Sequence, residues 1–449
     1  MNFAAELDLF RKRVGDRRAR ALILLGSRQP NTAALLVGAL QPQRVAFLLT
    51  PETTDFPQQV ADLLGRDPDP DWLVKTAHYT DINQIYRQLR AVVIDAWSDL
   101  ARSEILVDLT AGTKIMSVGL AKAAYILDLG TIYIESDYSQ NQVVPGSQRL
   151  ITPPDPYEVF GDLEAEAAQR AFNAYDYVSA GRIYADLARR VPMPADRLQY
   201  EALAELATAY TQWDAFDVAA AATLQRLLAR PLPPVLTPYQ QTLAQQQAAL
   251  ERLGQTTRAL NQPASALATL ADLDAVLPLL GSLHANAMRR VAQQRYDTAA
   301  LLRYRCLELM SQHRLATYGV WTERPDLDAL KQRMPQLDAR YRQVEAAVGF
   351  RERGLQPNRD GSYSAITLLN GYMLLKALDD PLLAQAQPID IKQRSFARNK
   401  SILAHGFRQI TEAEYHDFAA IVDQLLDQFF ALAGRSRQEW ESLYRFVTL

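Results

Sequence analysis

A short segment near the carboxyl end holds side chains that could cleave a phosphodiester bond without a metal ion. Arg398 and Asn399 are followed by His405 and Gly406 in the run Arg-Asn-Lys-Ser-Ile-Leu-Ala-His-Gly. Histidine can take a proton from a 2′-hydroxyl or protonate a leaving 5′-oxygen, and arginine can hold the charge that builds on the phosphate. On a continuous helix, residues seven apart face the same side. We therefore predict that Arg398 and His405 converge, with Asn399 as a cap or support.

This spacing by itself also fits a plainer interpretation. Pairs of arginine and histidine at this distance are common, since many arginines are surface residues and the helix dipole favours a histidine at a helix end. The surrounding segment 391–410, however, contains five basic residues and no acidic one. Lys392, Arg394 and Lys400 in this segment are candidate contacts to an RNA backbone.

A second candidate site lies in the run Asp-Leu-Thr-Ala-Gly-Thr-Lys, which ends at Lys114. It joins a strand-like segment to a helix-like segment over 115–129, which we expect to end with Gly130 as its C-cap. Backbone N–H groups of such a turn point at whatever lies above the helix N-terminus. The residues predicted to cradle an anion are Thr110, Ala111, Gly112, Thr113 and Lys114.

Alternatives to a ligand role stay open for this turn and for two further loops. The Gly-x-x-x-x-Gly-Lys spacing of a nucleoside-triphosphate loop is absent, and a threonine that merely caps the helix would explain the turn. Gly26 and Ser27 follow the first strand-like run, and Thr50 and Glu52 follow the second. These residues suit phosphate or ribose contacts, but plain capping and turn chemistry explain them equally well.

The segments that must position these loops are short apolar runs, as expected for strands buried on both faces of a parallel sheet. They are residues 21–25, 45–49, 72–76, 105–107 and 131–134. Helical stretches separate them, so we predict an α/β, Rossmann-like amino-terminal domain over 1–155. After the Pro-rich stretch at 153–156 the composition turns to Ala, Leu, Gln and Arg. We predict an all-α connector over 156–280 and an all-α domain over 281–449.

Composition and charge exclude several classes of protein. Of the 449 residues 48% are hydrophobic and 22% charged, which describes a folded globular chain. Cys306 is the single cysteine, so we expect no intrachain disulfide and, with five scattered histidines, no metal site or cofactor. No apolar run reaches the roughly 18 residues of a membrane span, so we expect a cytoplasmic protein without a membrane partner.

The net charge of −3 is unevenly distributed along the chain. Residues 281–449 hold 23 Lys and Arg against 19 Asp and Glu, a balance of +4, so residues 1–280 carry −7. The near-neutral total therefore hides a local basic site in the carboxyl-terminal part.

The amino-terminal order of a Gly-Ser loop, a Thr-Pro-Glu-Thr loop and Asp-Leu-Thr-Ala-Gly-Thr-Lys-Ile-Met resembles the CARF domain, the cyclic-oligoadenylate sensor of type III CRISPR systems. That family usually has glycine where this chain has Ala111. The resemblance implies a homodimer that binds one ring of linked AMP units across its two-fold axis, and on this ground we expect the tetra-adenylate ring. Slow degradation of the activator stays open, with Ser27, Thr50 or Thr110 positioning a phosphate.

The Arg-Asn run with its histidine, together with the helix-like segment 296–315 before it, resembles HEPN ribonucleases. Carried onto this chain, the resemblance makes Arg398, Asn399 and His405 catalytic. It implies that two protomers pair their motifs into one composite site and that the products carry a 2′,3′-cyclic phosphate. Core or surface roles are expected for the remaining histidines, which are His78, His284, His313 and His416.

One family joins a CARF sensor through a helical connector to a HEPN effector in this order. The resemblance thus implies a single-strand-specific endoribonuclease of CRISPR antiviral defence, activated by cyclic oligoadenylate and not stably associated with the CRISPR effector complex. The alternative from another class is a non-catalytic ring-sensing scaffold that binds RNA or a protein partner through its carboxyl-terminal helices. Ring size, RNA sequence preference and the fold of the connector stay open.

Overall fold

The amino-terminal sheet forms from apolar runs whose side chains are buried on both faces. The computed structural model describes residues 1–78, 80–140, 142–154 and 160–449. The strands are β1 (Ala21–Leu25), β2 (Arg44–Leu49), β3 (Leu73–Thr76), β4 (Ile105–Asp108), β5 (Gly130–Glu135), β6 (Tyr138–Ser139), β7 (Gln142–Val143) and β8 (Arg149–Ile151). In the main sheet the order is β3-β2-β1-β4-β5-β8, with every pairing parallel except the antiparallel β5–β8. The predicted α/β class of this part is confirmed.

Helices cover both faces of this sheet. They are α1 (Phe3–Val14), α2 (Asn31–Leu40), α3 (Phe56–Leu63), α4 (Ile82–Arg90) and α5 (Lys114–Ile126). One apolar core joins the sheet to α1, α2 and α3, and a second joins it to α4 and α5. The sheet is therefore held from both sides, which fixes the loops at the carboxyl ends of its strands.

The end of α5 differs from the prediction. The helix ends at Ile126, and Gly130 begins β5 instead of capping the helix. Asp128 takes the left-handed conformation, with φ of 57°, and its N–H donates to the carbonyl of Tyr125. Aspartate adopts this conformation more readily than most residues, so the chain turns before it reaches the glycine.

The rest of the described chain, residues 160–449, is helical, as predicted. The helices are α6 (Asp162–Asn173), α7 (Tyr177–Arg190), α8 (Pro194–Asp214), α9 (Ala219–Leu228), α10 (Gln240–Leu260), α11 (Pro263–Ala271), α12 (Leu273–Ala292), α13 (Tyr296–Thr317), α14 (Asp328–Arg333), α15 (Leu337–Val348), α16 (Leu368–Ala377), α17 (Pro388–Arg394), α18 (Phe396–Asn399), α19 (Glu412–Ala433) and α20 (Arg437–Leu443). No single helix among the described residues is both long and apolar enough to span a bilayer; α11 and α12 meet that test only as a pair bent by 85°.

By its internal contacts the chain divides into two compact units, residues 1–155 and 156–449. The predicted boundary between 155 and 156 lies outside the described residues. The second predicted boundary, between 280 and 281, falls inside α12, and one apolar core extends from Ala168 to Val447. A continuous helix and a shared core thus join the predicted connector to the predicted carboxyl-terminal domain.

The segment that follows α20 contributes to that shared core. The ring of Phe446 stacks on Tyr210 of α8 with centroids 3.9 Å apart, and the Arg289 guanidinium lies 3.8 Å from the centre of the same ring. The backbone N–H of Val447 donates to the Tyr210 hydroxyl, and the Gln246 side chain donates to the carbonyl of Arg445. Residues distant in sequence are thereby packed into one helical body.

We predict that Phe446→Ala lowers the free energy of unfolding by about 3–5 kcal/mol, because it removes a buried ring and leaves a cavity between two helices. Urea denaturation measures the change. As a matched control, Val178→Ala removes an exposed side chain from α7 and should change stability by less than about 0.5 kcal/mol. Equal stabilities for the two variants would contradict the structural role of this ring.

Candidate functional site

Arg398 and His405 do not share a helix, so the predicted helical juxtaposition is wrong. α18 ends at Asn399, and the chain then turns back on itself. The backbone N–H of Ile402 donates to the carbonyl of Arg408 at 2.9 Å, and that of Gly406 donates to the carbonyl of Ser401 at 3.0 Å. A Cβ at position 406 would overlap the Lys400 carbonyl, so this tight turn requires glycine. His405 lies on the turn, where this backbone folding and not helical periodicity sets its direction.

The turn that carries His405 is tied to the neighbouring helices at its far end. The Asp297 carboxylate, in the first turn of α13, accepts the backbone N–H of Ile410 at 3.1 and 3.2 Å. Arg408 donates to Glu414 at 2.6 Å, and Glu414 also completes a capping box with Thr411 at the start of α19. The exposed ring of His405 makes no hydrogen bond within the described part of the chain. It is free to meet a ligand.

Arg398 is held on two sides. Its Cζ lies 3.8 Å from the centre of the Tyr304 ring on α13, and its Nη1 donates to Oδ1 of Asn399 at 3.3 Å. Its Nε is buried and has no hydrogen-bond partner in the part of the chain that the structure describes. Asn399 therefore accepts a hydrogen bond from Arg398, and Tyr304 is a contact that the sequence interpretation missed.

Of the predicted RNA contacts, one is already engaged within the protein. Lys392 donates to the carbonyl of Val348 at the end of α15 and lies 4.3 Å from the centre of the Phe350 ring. Arg394 lies 3.9 Å from Asp417, a loose and exposed ion pair. Lys400 is exposed, 5.5 Å from the centre of the Phe396 ring. Lys400 is the most accessible of these cations to a polyanion.

Apolar side chains surround the turn, which the sequence interpretation also missed. Phe396, Ile402, Leu403 and Phe407 are between 48% and 97% exposed. Several large apolar groups on one short exposed segment are unusual for a surface that faces only water. A clue was available in the sequence, because these residues alternate with the basic ones over 391–410.

In the amino-terminal unit the predicted loops meet at one edge of the sheet, because β2, β1 and β4 are parallel neighbours. Thr113 caps α5 by accepting the N–H of Met116, and Lys114 is the exposed first residue of that helix. Gly112 has φ of 86°, and a Cβ there would come within 2.9 Å of Leu25. Thr113, Lys114 and the open helix N-terminus are accessible to an anion.

Other predicted ligand contacts are occupied by local structure. The Thr110 hydroxyl donates to Asp108 at 2.5 Å and accepts the N–H of Ile134 at 2.7 Å. The Ala111 carbonyl accepts the Ser117 hydroxyl at 3.1 Å. Thr110 therefore joins β4 to β5 and has no free hydroxyl hydrogen.

The two remaining loops combine turn chemistry with polar surface. The Ser27 hydroxyl bonds both the N–H and the carbonyl of Gln29, and a Cβ on Gly26 would approach Leu49 and Thr53. Thr50 is buried beside Thr53. For exposed Glu52 a hydrogen bond from Thr50 is the main cause of a lowered pKa, and the nearby His78 and Arg28 add to it. His78, for which a core or surface role is expected, is an exposed residue close enough to Glu52 to affect its charge.

The other histidines have structural surroundings. His284 is buried between Arg303 and Glu441, and burial is the main cause of its lowered pKa. His313 is buried and bonded to the Leu270 carbonyl, while His416 is exposed beside Glu412. Burial raises the pKa of Cys306 to about 12, which keeps its thiol protonated. Among the described residues no group of three or more His, Cys, Asp and Glu side chains is placed to hold a metal ion.

Comparison with known families matches residues 160–259 to the Csm6 6H domain and residues 243–428 to the Csm6 HEPN domain. The chain is 26% identical over 428 residues to the CRISPR system endoribonuclease Csm6 of Thermus thermophilus, an alignment that covers 91% of this chain and 84% of that protein. The structure of Enterococcus italicus Csm6 bound to cyclic hexa-2′-fluoro-hexa-dAMP matches with a TM-score of 0.51 at 12% identity, covering 94% of this chain and 97% of that one. This last likeness shows a common fold.

Asp108, at the end of β4, gives this edge of the sheet a testable pH dependence. It is buried, its Oδ2 has no hydrogen-bond partner among the described residues, and burial raises its pKa from 3.8 to about 6. The folded state therefore holds this proton at pH values where the unfolded chain has lost it, so stability falls as the pH rises from about 4 to 6, by about 3 kcal/mol for this group.

We predict that Asp108→Asn removes this loss, because the amide oxygen still accepts from Thr110 and carries no charge. Urea unfolding across this pH range, with hydrogen exchange of the sheet peptides, measures the difference from the wild-type protein. Asp99→Asn is the matched control: the Arg44 hydrogen bond lowers the pKa of the exposed Asp99, so this carboxyl affects stability only below about pH 4 and the variant should keep the wild-type fall between about pH 4 and 6. A wild-type slope in Asp108→Asn would contradict the prediction.

Proposed function

Because the chain belongs to the Csm6 family of CARF–HEPN proteins, we propose that it is a CRISPR-associated endoribonuclease that cleaves single-stranded RNA when cyclic oligoadenylate binds its amino-terminal unit. The observation that carries this proposal is the pairing of a supported Arg398 with an unengaged His405 on one short, basic segment. As part of the same proposal, the protein acts in the cytoplasm in antiviral defence and does not associate stably with the CRISPR effector complex.

The chemistry needs only groups that this segment supplies. One His405 takes the proton of a 2′-hydroxyl, and the oxygen attacks the adjacent phosphorus while the bond to the 5′-oxygen breaks. A protonated histidine returns a proton to that 5′-oxygen, and Arg398 stabilises the charge on the phosphate oxygens. The products are a 2′,3′-cyclic phosphate and a 5′-hydroxyl. No metal ion is required for any of these steps.

A homodimer would supply the second copy of this motif. In support, Phe396, Ile402, Leu403 and Phe407 are exposed around the turn that carries His405, and contact with a second copy would remove them from water. In the amino-terminal unit, α5 also exposes Ile115, Val118 and Ile126. Apolar surfaces next to both candidate sites favour a dimer in which each site is shared.

The ring would bind at the carboxyl edge of the sheet. Its phosphates suit the N-terminus of α5, Lys114 and the N–H groups near Gly112, while Gly26, Ser27, Thr50 and Glu52 line the neighbouring loops. The tetra-adenylate ring is the expected activator, whereas the structure of E. italicus Csm6 contains a cyclic compound of six nucleotide units, cyclic hexa-2′-fluoro-hexa-dAMP. Slow degradation of the ring by the protein is a secondary activity within this proposal.

Activation would be a population shift. The ring must bind the cleaving conformation more tightly than the resting one, since equal affinity for both would change nothing. In the carboxyl-terminal unit the shared core offers a rigid path for such a shift, because α8 and α12 pack in the same core as α13 and α19. The alternative, a ring-sensing scaffold without catalysis, is separated from this proposal by the following experiment.

We predict that the wild-type protein cleaves a fluorogenic single-stranded RNA in EDTA when the activating ring is added, and that Arg398→Ala and His405→Ala each lower the rate by roughly a thousandfold. Tri-, tetra- and hexa-adenylate rings are tested in parallel, and mass spectrometry identifies the product ends.

Each outcome of this experiment has one meaning. Wild-type rates in either variant would overturn the catalytic assignment, and absence of cleavage with every ring would favour the scaffold. Loss of cleavage in EDTA would exclude the metal-independent mechanism. Arg435→Ala, which removes an exposed arginine that pairs with Asp274 beyond the opposite end of α19, is the matched control and should retain most activity.

We also predict that Lys114→Ala raises the ring concentration for half-maximal activation roughly tenfold, because one charged contact to a phosphate is lost. The maximal rate at saturating ring should stay unchanged. Lys122→Ala, exposed on the same helix away from its N-terminus, is the control and should leave both values unchanged. Equal effects of the two substitutions would place the ring elsewhere.

A further inference from the structure

Within the proposed function, we propose that Tyr304 is a positioning residue for RNA cleavage: its ring holds the Arg398 guanidinium in place without neutralising its charge. The Cζ of Arg398 lies 3.8 Å from the centre of that ring. This is a close cation–π distance, and it fixes the arginine from one side.

The support of Arg398 differs from that of other arginines around it. Arg408 pairs with Glu414, Arg394 with Asp417, Arg314 with Asp380, and Arg303 with Asp423. Among the described residues no carboxylate pairs with Arg398, whose contacts are an aromatic ring and the Asn399 amide oxygen. A carboxylate at this position would cancel the charge that must meet a phosphate. An aromatic ring and an amide orient the group and leave it cationic.

Tyr304 is itself firmly placed. It lies half-buried on α13, directly after Arg303, whose guanidinium reaches Asp423, His284 and the Tyr415 hydroxyl. These contacts tie α13 to α12 and α19 and limit movement of the backbone beneath the tyrosine. Burial is the main cause of a raised pKa for Tyr304, so its phenol stays neutral and does not act as a base.

The buried, unpartnered Nε of Arg398 shows which edge of the guanidinium is available. Nε is buried, one face lies on Tyr304 and Nη1 donates one hydrogen to Asn399, so Nη2 and the second hydrogen of Nη1 are the groups left without a hydrogen bond among the described residues. Two N–H groups directed from these nitrogens can bind two oxygens of one phosphate. Loss of the Tyr304 ring would let the Arg398 side chain rotate. The guanidinium would then be oriented to stabilise the transition state in a smaller fraction of the protein molecules.

The test compares Tyr304→Leu, Tyr304→Phe and Tyr296→Leu in the full-length, ring-activated protein with single-stranded RNA. Tyr304→Phe keeps the aromatic face and should cleave within about twofold of wild type. Tyr304→Leu should lower kcat roughly tenfold with little change in KM, because orientation in the transition state is lost and not RNA binding. Tyr296→Leu is the matched control, since this tyrosine lies on the same helix and contacts Tyr415.

A double-mutant cycle separates positioning from general damage. Arg398→Lys keeps the charge but has no planar group to lie on the ring. In a protein that carries Arg398→Lys, adding Tyr304→Leu should therefore lower kcat by less than about twofold. Equal losses in both backgrounds, or a wild-type kcat for Tyr304→Leu, would overturn the inference. Should Tyr304→Leu fail to fold, Tyr304→Met keeps the volume without the aromatic face and takes its place.

The two hypotheses fail in different ways. If Arg398→Ala cleaves RNA at the wild-type rate, the catalytic role that the proposed function gives to Arg398 is wrong. If Arg398→Ala is inactive while Tyr304→Leu equals Tyr296→Leu, only the positioning role of Tyr304 is wrong.

Discussion

The packing of Phe446 on Tyr210 is the interaction on which the helical part of the molecule depends. The residues after α20 pack against the first helices of the carboxyl-terminal unit, where the Phe446 ring stacks on Tyr210. The Arg289 guanidinium also contacts the Phe446 ring, and the backbone N–H of Val447 donates to the Tyr210 hydroxyl. Tyr444 occupies the space above Gly281, where any Cβ would overlap its ring. The chain thereby closes on itself, and helices that differ by more than 200 positions in sequence share one core.

This closure has a consequence for the candidate catalytic segment. α13 carries Tyr304 beneath Arg398 and, at its first turn, Asp297 beneath the end of the His405 turn. The same helix is held to α12 and α19 through the buried Arg303, Asp423 and His284. A well-packed core resists gradual deformation and changes between discrete arrangements. A small movement of α12 or α13 would therefore displace Arg398 and the end of the His405 turn at the same time.

Charge is arranged differently at the two candidate sites. At the sheet edge the anion would meet a helix N-terminus, a lysine and backbone N–H groups, with Glu52, Arg28 and His78 close by. At the carboxyl-terminal segment an arginine that pairs with no carboxylate of the described residues lies on an aromatic ring. Neither arrangement needs a broadly basic surface, so a net charge of −3 is compatible with the two nucleotide ligands proposed for this chain.

The sequence by itself determined the parallel sheet, the helical remainder and the positions of the loops, because hydrophobic periodicity and turn residues are local properties. It also identified Arg398, Asn399 and His405 as the candidate catalytic residues. Only the tertiary structure decided that His405 lies on a turn and not on the helix of Arg398, since backbone contact between Lys400 and Gly406 ends the helical path. Likewise, only tertiary packing brought Tyr304 beneath Arg398 and engaged Lys392 and Thr110 in internal hydrogen bonds. These contacts join residues far apart in the chain, and no local pattern records them.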